Sequence, residues 1–129
     1  MNQPLVLVDT SVWVEFFNRP SGNHHGAVSE LLDEDRVAVI GVVAAELLRG
    51  CRSVDDREEV EAALHGVHRL EVSFSHWSGV GREMFELRRR GVTVSLSDAA
   101  VAFSAREAGC LLYTLDADFE HFSGIARYR

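Results

Sequence analysis

Leu5-Val6-Leu7-Val8 is an unbroken apolar run, and Asp9-Thr10-Ser11 follows it at once. A strand with no polar alternation is covered on both faces, as strands inside a parallel sheet are. In such sheets ligands bind in the crevice beyond the carboxyl ends of the strands. Asp9 therefore either points into that crevice from a rigid support or caps the helix that starts at Thr10 or Ser11, a common use of aspartate.

The same placement recurs downstream. Val37-Ala38-Val39-Ile40 is a second apolar strand, and Glu46 lies about a turn into the helix after it. Leu111-Leu112-Tyr113-Thr114-Leu115 is a third strand, ending at Asp116, and Asp98 falls in the first turn of a helix beginning near Ser97. Four carboxylates at strand ends or helix starts are placed to converge on one cleft.

Hydrophobic spacing supplies the remaining elements. Thr10 to Phe17 reads as a short helix whose Val12, Trp13, Phe16 and Phe17 share a face. Its aromatics belong to the core or to a dimer interface rather than to a base-stacking surface. Asn18-Arg19-Pro20-Ser21-Gly22-Asn23 breaks the chain. Residues 24–34 carry Val28, Leu31 and Leu32 at helical spacing, and Asp33-Glu34-Asp35 closes that helix. Val42 to Gly50 and the more charged Asp55 to Leu64 form a helical hairpin over one end of the sheet. His68 to Val72 alternates as a short strand. His76 to Arg90 is a helix with Gly91 where a capping glycine belongs; Val92-Thr93-Val94 is too short to assign. Ser97 to Ala108 is an apolar helix ending at Gly109, with Val101, Ala102 and Ala105 toward the sheet. Asp116 to Phe122 is a turn or a single helical turn, and Ile125 to Tyr128 an edge strand. Strand and helix alternate throughout, so the class is α/β, a mostly parallel central sheet flanked by helices.

At 129 residues, without linker, repeat or low-complexity tract, the chain is expected to form a single domain over residues 1–129. No apolar run approaches the ~20 residues that span a bilayer. The N-terminus has neither the basic region nor the apolar core of a secretory signal. A cytoplasmic location is expected. Cys51 and Cys110 are too few for a disulfide scaffold and read as buried free thiols. The formal charge is −7, with 20 acidic residues against 13 basic ones, all of them arginine. Such a chain does not attract nucleic acid through its overall field. Contact with RNA or DNA then depends on local arginines and on a metal masking the acidic cleft.

Carboxylates within ~4–6 Å of one another raise each other's pKa unless a cation is present. An oxygen-only ligand set favours Mg²⁺ or Mn²⁺ over zinc. No cysteine or histidine stands ready to complete a softer site. His24-His25 reads as solvated surface, and His65, His68, His76 and His121 lack ligand spacing. Acid-held divalent ions serve phosphate chemistry, supplying an activated water and offsetting charge at phosphorus. A nuclease needs these elements and no covalent nucleophile.

Four segments carry a resemblance, in order and over essentially the whole chain: Val8-Asp9-Thr10-Ser11-Val12-Trp13, Ala45-Glu46-Leu47-Leu48-Arg49-Gly50, Leu96-Ser97-Asp98-Ala99-Ala100-Val101-Ala102, and Thr114-Leu115-Asp116-Ala117-Asp118-Phe119. Together they resemble PIN-domain ribonucleases, and the compact length resembles VapC-type toxins of bacterial toxin–antitoxin pairs. The resemblance implies a PIN-like three-layer fold and a metal-dependent endoribonuclease that hydrolyses RNA with metal-activated water. It implies that Asp9, Glu46, Asp98 and Asp116 form the quartet holding Mg²⁺ or Mn²⁺. Asp9 would be the central ligand, and Glu46 would bind metal or orient the attacking water. Thr10, Ser11 and Thr114 match polar positions that support such sites. Asp118 matches a more variable acidic position, or else caps the turn leading to Phe119. Arg49, three residues after Glu46, either meets substrate phosphate or makes a surface ion pair. Arg88-Arg89-Arg90 is a phosphate-contacting patch or a basic helix C-terminus. A VapB-type antitoxin and a homodimer are implied partners. Where the family often has proline before the third acid, this chain has Val94-Ser95-Leu96-Ser97. The same acids would also serve another metal-dependent phosphohydrolase or a DNA nuclease, and the fold could stand as a non-catalytic binding module.

Overall fold

The computed structural model describes residues 3–129. Strands β1 (Val6–Val8), β2 (Val37–Ile40), β3 (His68–Leu70) and β4 (Leu111–Tyr113) form one sheet in the order β3-β2-β1-β4, parallel at every pairing. Among the described residues six helices surround it: α1 (Thr10–Asn18), α2 (Asn23–Asp33), α3 (Gly41–Arg49), α4 (Val54–His65), α5 (Phe74–Arg89) and α6 (Leu96–Ala108). A 3₁₀ turn covers Ala117–His121.

β1 is central, paired to β2 on one side and β4 on the other, and all of its residues are fully buried. β2 is buried along its whole length too, whereas β3, at the sheet edge, exposes His68 and Arg69. Trp13 is fully buried in the core, stacked on Phe17 at 5.8 Å and edge-on to Phe16 at 5.6 Å, while Phe16 and Phe17 are half-buried against it.

Three of the helix starts are set by serines. The hydroxyls of Ser53, Ser73 and Ser95 accept the backbone N–H of Asp56, His76 and Asp98, capping α4, α5 and α6. The caps carry each helix one or two residues further toward its N-terminus than hydrophobic spacing alone suggests. Gly109 closes α6 in the left-handed conformation at φ 67°.

Several expected elements come out shorter or differently engaged. β3 ends at Leu70 and β4 at Tyr113. Ile125 to Tyr128 is not a strand: a single parallel bridge joins Leu112 to Arg127. There Leu112 donates to the Ala126 carbonyl at 2.8 Å and accepts from Tyr128 N–H at 2.9 Å. With only three residues in β4, Leu112 is the residue whose N–H and C=O both reach this segment. His24 and His25 are half-buried rather than solvated, because α2 packs on α1 and reaches β4. His24 Nδ1 lies 2.6 Å from the Tyr113 hydroxyl, and His25 Nδ1 lies 2.9 Å from the Phe16 carbonyl with its ring stacked on Phe16. Cys110 is buried, while Cys51 is half-buried and donates its thiol to the Leu47 carbonyl. Among the described residues, no helix is long and apolar enough to cross a membrane.

Arg106 of α6 forks onto both carboxylate oxygens of Glu83 in α5, at 2.6 and 3.0 Å, and also donates to the Ser123 carbonyl at 2.8 Å. Above this clamp α5 and α6 approach closely at Gly79, where a Cβ would stand 2.4 Å from the Phe103 ring. Gly79→Ala should therefore cost about 1–3 kcal/mol in urea unfolding, the usual penalty of overpacking. Adding Phe103→Leu in the same chain should recover part of that loss, since the two positions share one contact.

Candidate active site

Asp9 follows β1 directly and occupies the residue before α1 in an extended conformation. Its carbonyl accepts the N–H groups of Val12 and Trp13, both at 3.1 Å, but its side chain caps nothing. Asp9 is 5 % exposed, and its carboxylate meets the segment that follows β4. Ser11 and Thr114 each donate a hydroxyl to Oδ2 at 2.8 Å. The same hydroxyls accept from the backbone, Ser11 from Leu115 N–H at 3.1 Å and Thr114 from Asp116 N–H at 3.0 Å. The segment after β4 is thus tied to the segment after β1 through two hydroxyls. Asp9 Oδ1 has no hydrogen-bond partner among the described residues.

Asp98 enters from the first turn of α6, its N–H held by the Ser95 cap at 3.1 Å. Asp116 caps the 3₁₀ turn by accepting the Asp118 N–H at 2.9 Å. That reverses one reading of Asp118: the capping side chain is Asp116, which leaves the Asp118 carboxylate unengaged by the turn. Oxygens of Asp98, Asp116 and Asp118 all lie within 4.8 Å of one another. Burial, then the negative charges of Asp116 and Asp9, push the Asp98 carboxyl up from 3.8 to about 6; the bond to Ser95 pulls the other way and the charge of Asp118 adds to the rise.

Glu46 stands apart from that trio, reached through Thr10, whose hydroxyl donates to Oε1 at 2.7 Å and so joins α1 to α3. Beside Glu46 a cavity of about 630 Å³ opens, walled by Val14 and Phe17 of α1, Leu47 of α3 and Val60 of α4. Arg49 is exposed and makes no ion pair among the described residues. Arg88 and Arg89 occupy the last turn of α5.

Two supports were not singled out in the sequence. The serine three residues before Asp98 is a capping signature for which Ser95-Leu96-Ser97-Asp98 is the signal. The His24–Tyr113 bond leaves no local signal, since its partners are 89 residues apart.

All the donors gathered here are oxygens, and burial together with the charges of Asp116 and Asp9 already raises the Asp98 carboxyl, so the residues present fit a hard divalent cation. Fold and site together define an α/β protein with an acidic cleft at the carboxyl edge of a parallel sheet. The PIN-domain profile matches residues 6–125. A VapC ribonuclease of Mycobacterium bovis and ribonuclease VapC11 of Mycobacterium tuberculosis are each 32% identical over 123 residues, covering 90% of this chain and 90% of each relative. The chain belongs to the PIN-domain family, among its VapC ribonucleases. Solved structures share the fold. VapBC2 of Rickettsia felis, bound to a promoter DNA fragment, superposes with a TM-score of 0.80 at 17% identity, covering 96% of this chain and 97% of that one. DNA-bound VapBC of Salmonella typhimurium gives 0.80 at 22% identity and 98% of both chains.

The raised Asp98 carboxyl fixes the sign of a pH effect. The metal-free fold holds this proton more tightly than the unfolded chain, so the associated stability is complete below about pH 4 and is lost as pH rises through about 6. The shift nominally corresponds to ~3 kcal/mol, cut by solvent at a partly exposed group to about 1 kcal/mol. Thermal melts in EDTA should show Asp98→Asn more stable than the wild type by that amount at pH 8, with the gap closing by pH 4.

Proposed function

We propose that the protein is a Mg²⁺- or Mn²⁺-dependent endoribonuclease acting as the toxin of a type II toxin–antitoxin pair. It works as one domain over residues 1–129, in the cytoplasm, as a homodimer with a VapB-type antitoxin as partner. The observation that carries the reading is the meeting of Asp98, Asp116 and Asp118 beside the buried Asp9, in a chain 32% identical to named ribonucleases. The antitoxin partner is supported by the solved VapBC complexes that share the fold.

Asp9, Asp98 and Asp116 would hold the cation, with Glu46 and Asp118 at its margins. A divalent ion there would lower the pKa of a water and offset negative charge at the scissile phosphodiester. Ser11 and Thr114 fix one oxygen of Asp9 and leave the other for the cation. Thr10 holds Glu46 by Oε1, so Oε2 is available to orient the attacking water and accept its proton. Arg49, exposed one turn beyond Glu46, offers charge to the substrate phosphate in a chain of net charge −7. In-line attack by water leaves a 5′-phosphate and a 3′-hydroxyl.

Incubation with total RNA tests the reading. Cleavage should require Mg²⁺ or Mn²⁺ and stop in EDTA. Asp9→Asn and Asp98→Asn should each slow it by at least about 10²-fold, the loss expected when several kcal/mol of charge stabilisation disappears. Thr10→Val, which only releases Glu46, should cost about tenfold. Circular dichroism should be unchanged in all three. Cleavage of DNA or of a phosphomonoester but not RNA, or cleavage indifferent to EDTA, overturns the proposal.

A further inference from the structure

The chain has 13 leucines, and the fold hides all but two of them. Leu96 is 56 % exposed and Leu115 46 %, while every other leucine is buried or half-buried. A single apolar side chain in solvent needs no explanation. These two exceptions, however, fall at one place. Leu96 opens α6 two residues before Asp98, and Leu115 directly precedes Asp116. Those are two of the acids whose oxygens lie within 4.8 Å of one another. Each leucine therefore belongs to one of the two segments that meet at the acidic cluster.

Both leucines stand on fixed backbone. Leu96 follows Ser95, whose hydroxyl accepts the Asp98 N–H at 3.1 Å across the first turn of α6. Leu115 donates its own N–H to Ser11 Oγ at 3.1 Å, the hydroxyl that also holds Asp9. The bonds that place the acids thus also hold two apolar side chains in water beside them. Neither side chain joins the hydrophobic core, so packing does not account for them.

The chemistry of the substrate does. The acids and a cation between them grip only a phosphate, and every phosphodiester of RNA carries a nucleoside on either side. A chain of net charge −7 draws little on the counterion release that ordinarily holds a nucleic acid. The faces of the bases are apolar, and side chains that cover them bind a strand without relying on charge. We infer that Leu96 and Leu115 cover the bases flanking the phosphodiester that is cut, and so hold the strand at the acidic cluster by apolar contact; that the strand is RNA rests on the function proposed above.

A chain carrying Leu96→Ser and Leu115→Ser together tests this. The substrates are a labelled RNA spanning a cut site mapped in total RNA, and the same RNA lacking the two bases beside the cut. Circular dichroism and the urea midpoint should not change, since neither side chain is in the core. KM should rise at least about tenfold while kcat stays within about twofold, the pattern of lost binding rather than lost chemistry. Removing the bases should raise the wild-type KM by a similar factor and leave that of the double variant unchanged. Val54→Ser, an exposed apolar position on α4, should cleave as the wild type does. A double variant with the wild-type KM, one whose kcat falls instead, or one that still distinguishes the abasic RNA overturns the inference. Loss of binding to a protein partner with RNA cleavage intact does the same. Binding is also read without cleavage, by fluorescence anisotropy in Ca²⁺, with oligoadenylate and an abasic oligomer of equal length. The wild type should bind oligoadenylate at least about tenfold more tightly, and the double variant should bind both alike. If the wild type cleaves no RNA, the enzyme reading falls and the anisotropy decides: equal affinity of the wild type for the two oligomers, or a preference that survives in the double variant, overturns the role of the leucines.

Discussion

A carboxylate stands at the end of a strand that has no exposed residue, and the surroundings of Asp9 answer the cost of keeping it there. Removing such a group from water is expensive unless its oxygens find donors. Ser11 and Thr114 supply two hydroxyl protons to one oxygen, and each hydroxyl is itself oriented by a backbone N–H from the segment after β4. Neither hydroxyl can turn away without stranding that N–H. The arrangement also explains where β4 stops: Thr114 turns its hydroxyl to Asp9 and its neighbour's N–H to that hydroxyl, so the sheet ladder ends at Tyr113.

From this anchor the other acids follow by connectivity. The turn that brings Asp116 beside Asp98 is held by the Asp116 carboxylate on the Asp118 N–H, which draws a third acid into the same 4.8 Å. The repulsion is registered at Asp98, whose carboxyl rises to about 6 under burial and the charges of Asp116 and Asp9. Local order is thereby purchased with electrostatic strain, and a cation is the species that relieves it.

Legibility tracked how local each cause was. β1 and β2 stood out because burial on both faces leaves an apolar run with no polar residue in it. The positions of Asp9, Asp98 and Asp116 relative to strand ends and helix starts were also readable, because strand termini and first turns are defined by neighbours in the chain. Helix starts slipped by a residue or two where a serine cap outweighed hydrophobic spacing, as at Ser73 and Ser95. The Ile125–Tyr128 segment looked like a strand by composition, but a strand also needs an edge to pair with, and β4 offers it one residue. His24-His25 was misjudged for a similar reason: whether an imidazole is solvated depends on what packs over it, and Tyr113 is 89 residues away. Which oxygen of Asp9 is held, and which is free, has no trace in the sequence at all.

Of the two bonds that hold Asp9, the one from Ser11 is local and the one from Thr114 joins residues 105 positions apart, nearly the full span of the polypeptide. The acidic cluster therefore waits on a contact of very high sequence separation, whose loop-closure entropy has to be met before any bond rewards it, so the cleft is a late event in folding whereas the serine-capped helices are early ones.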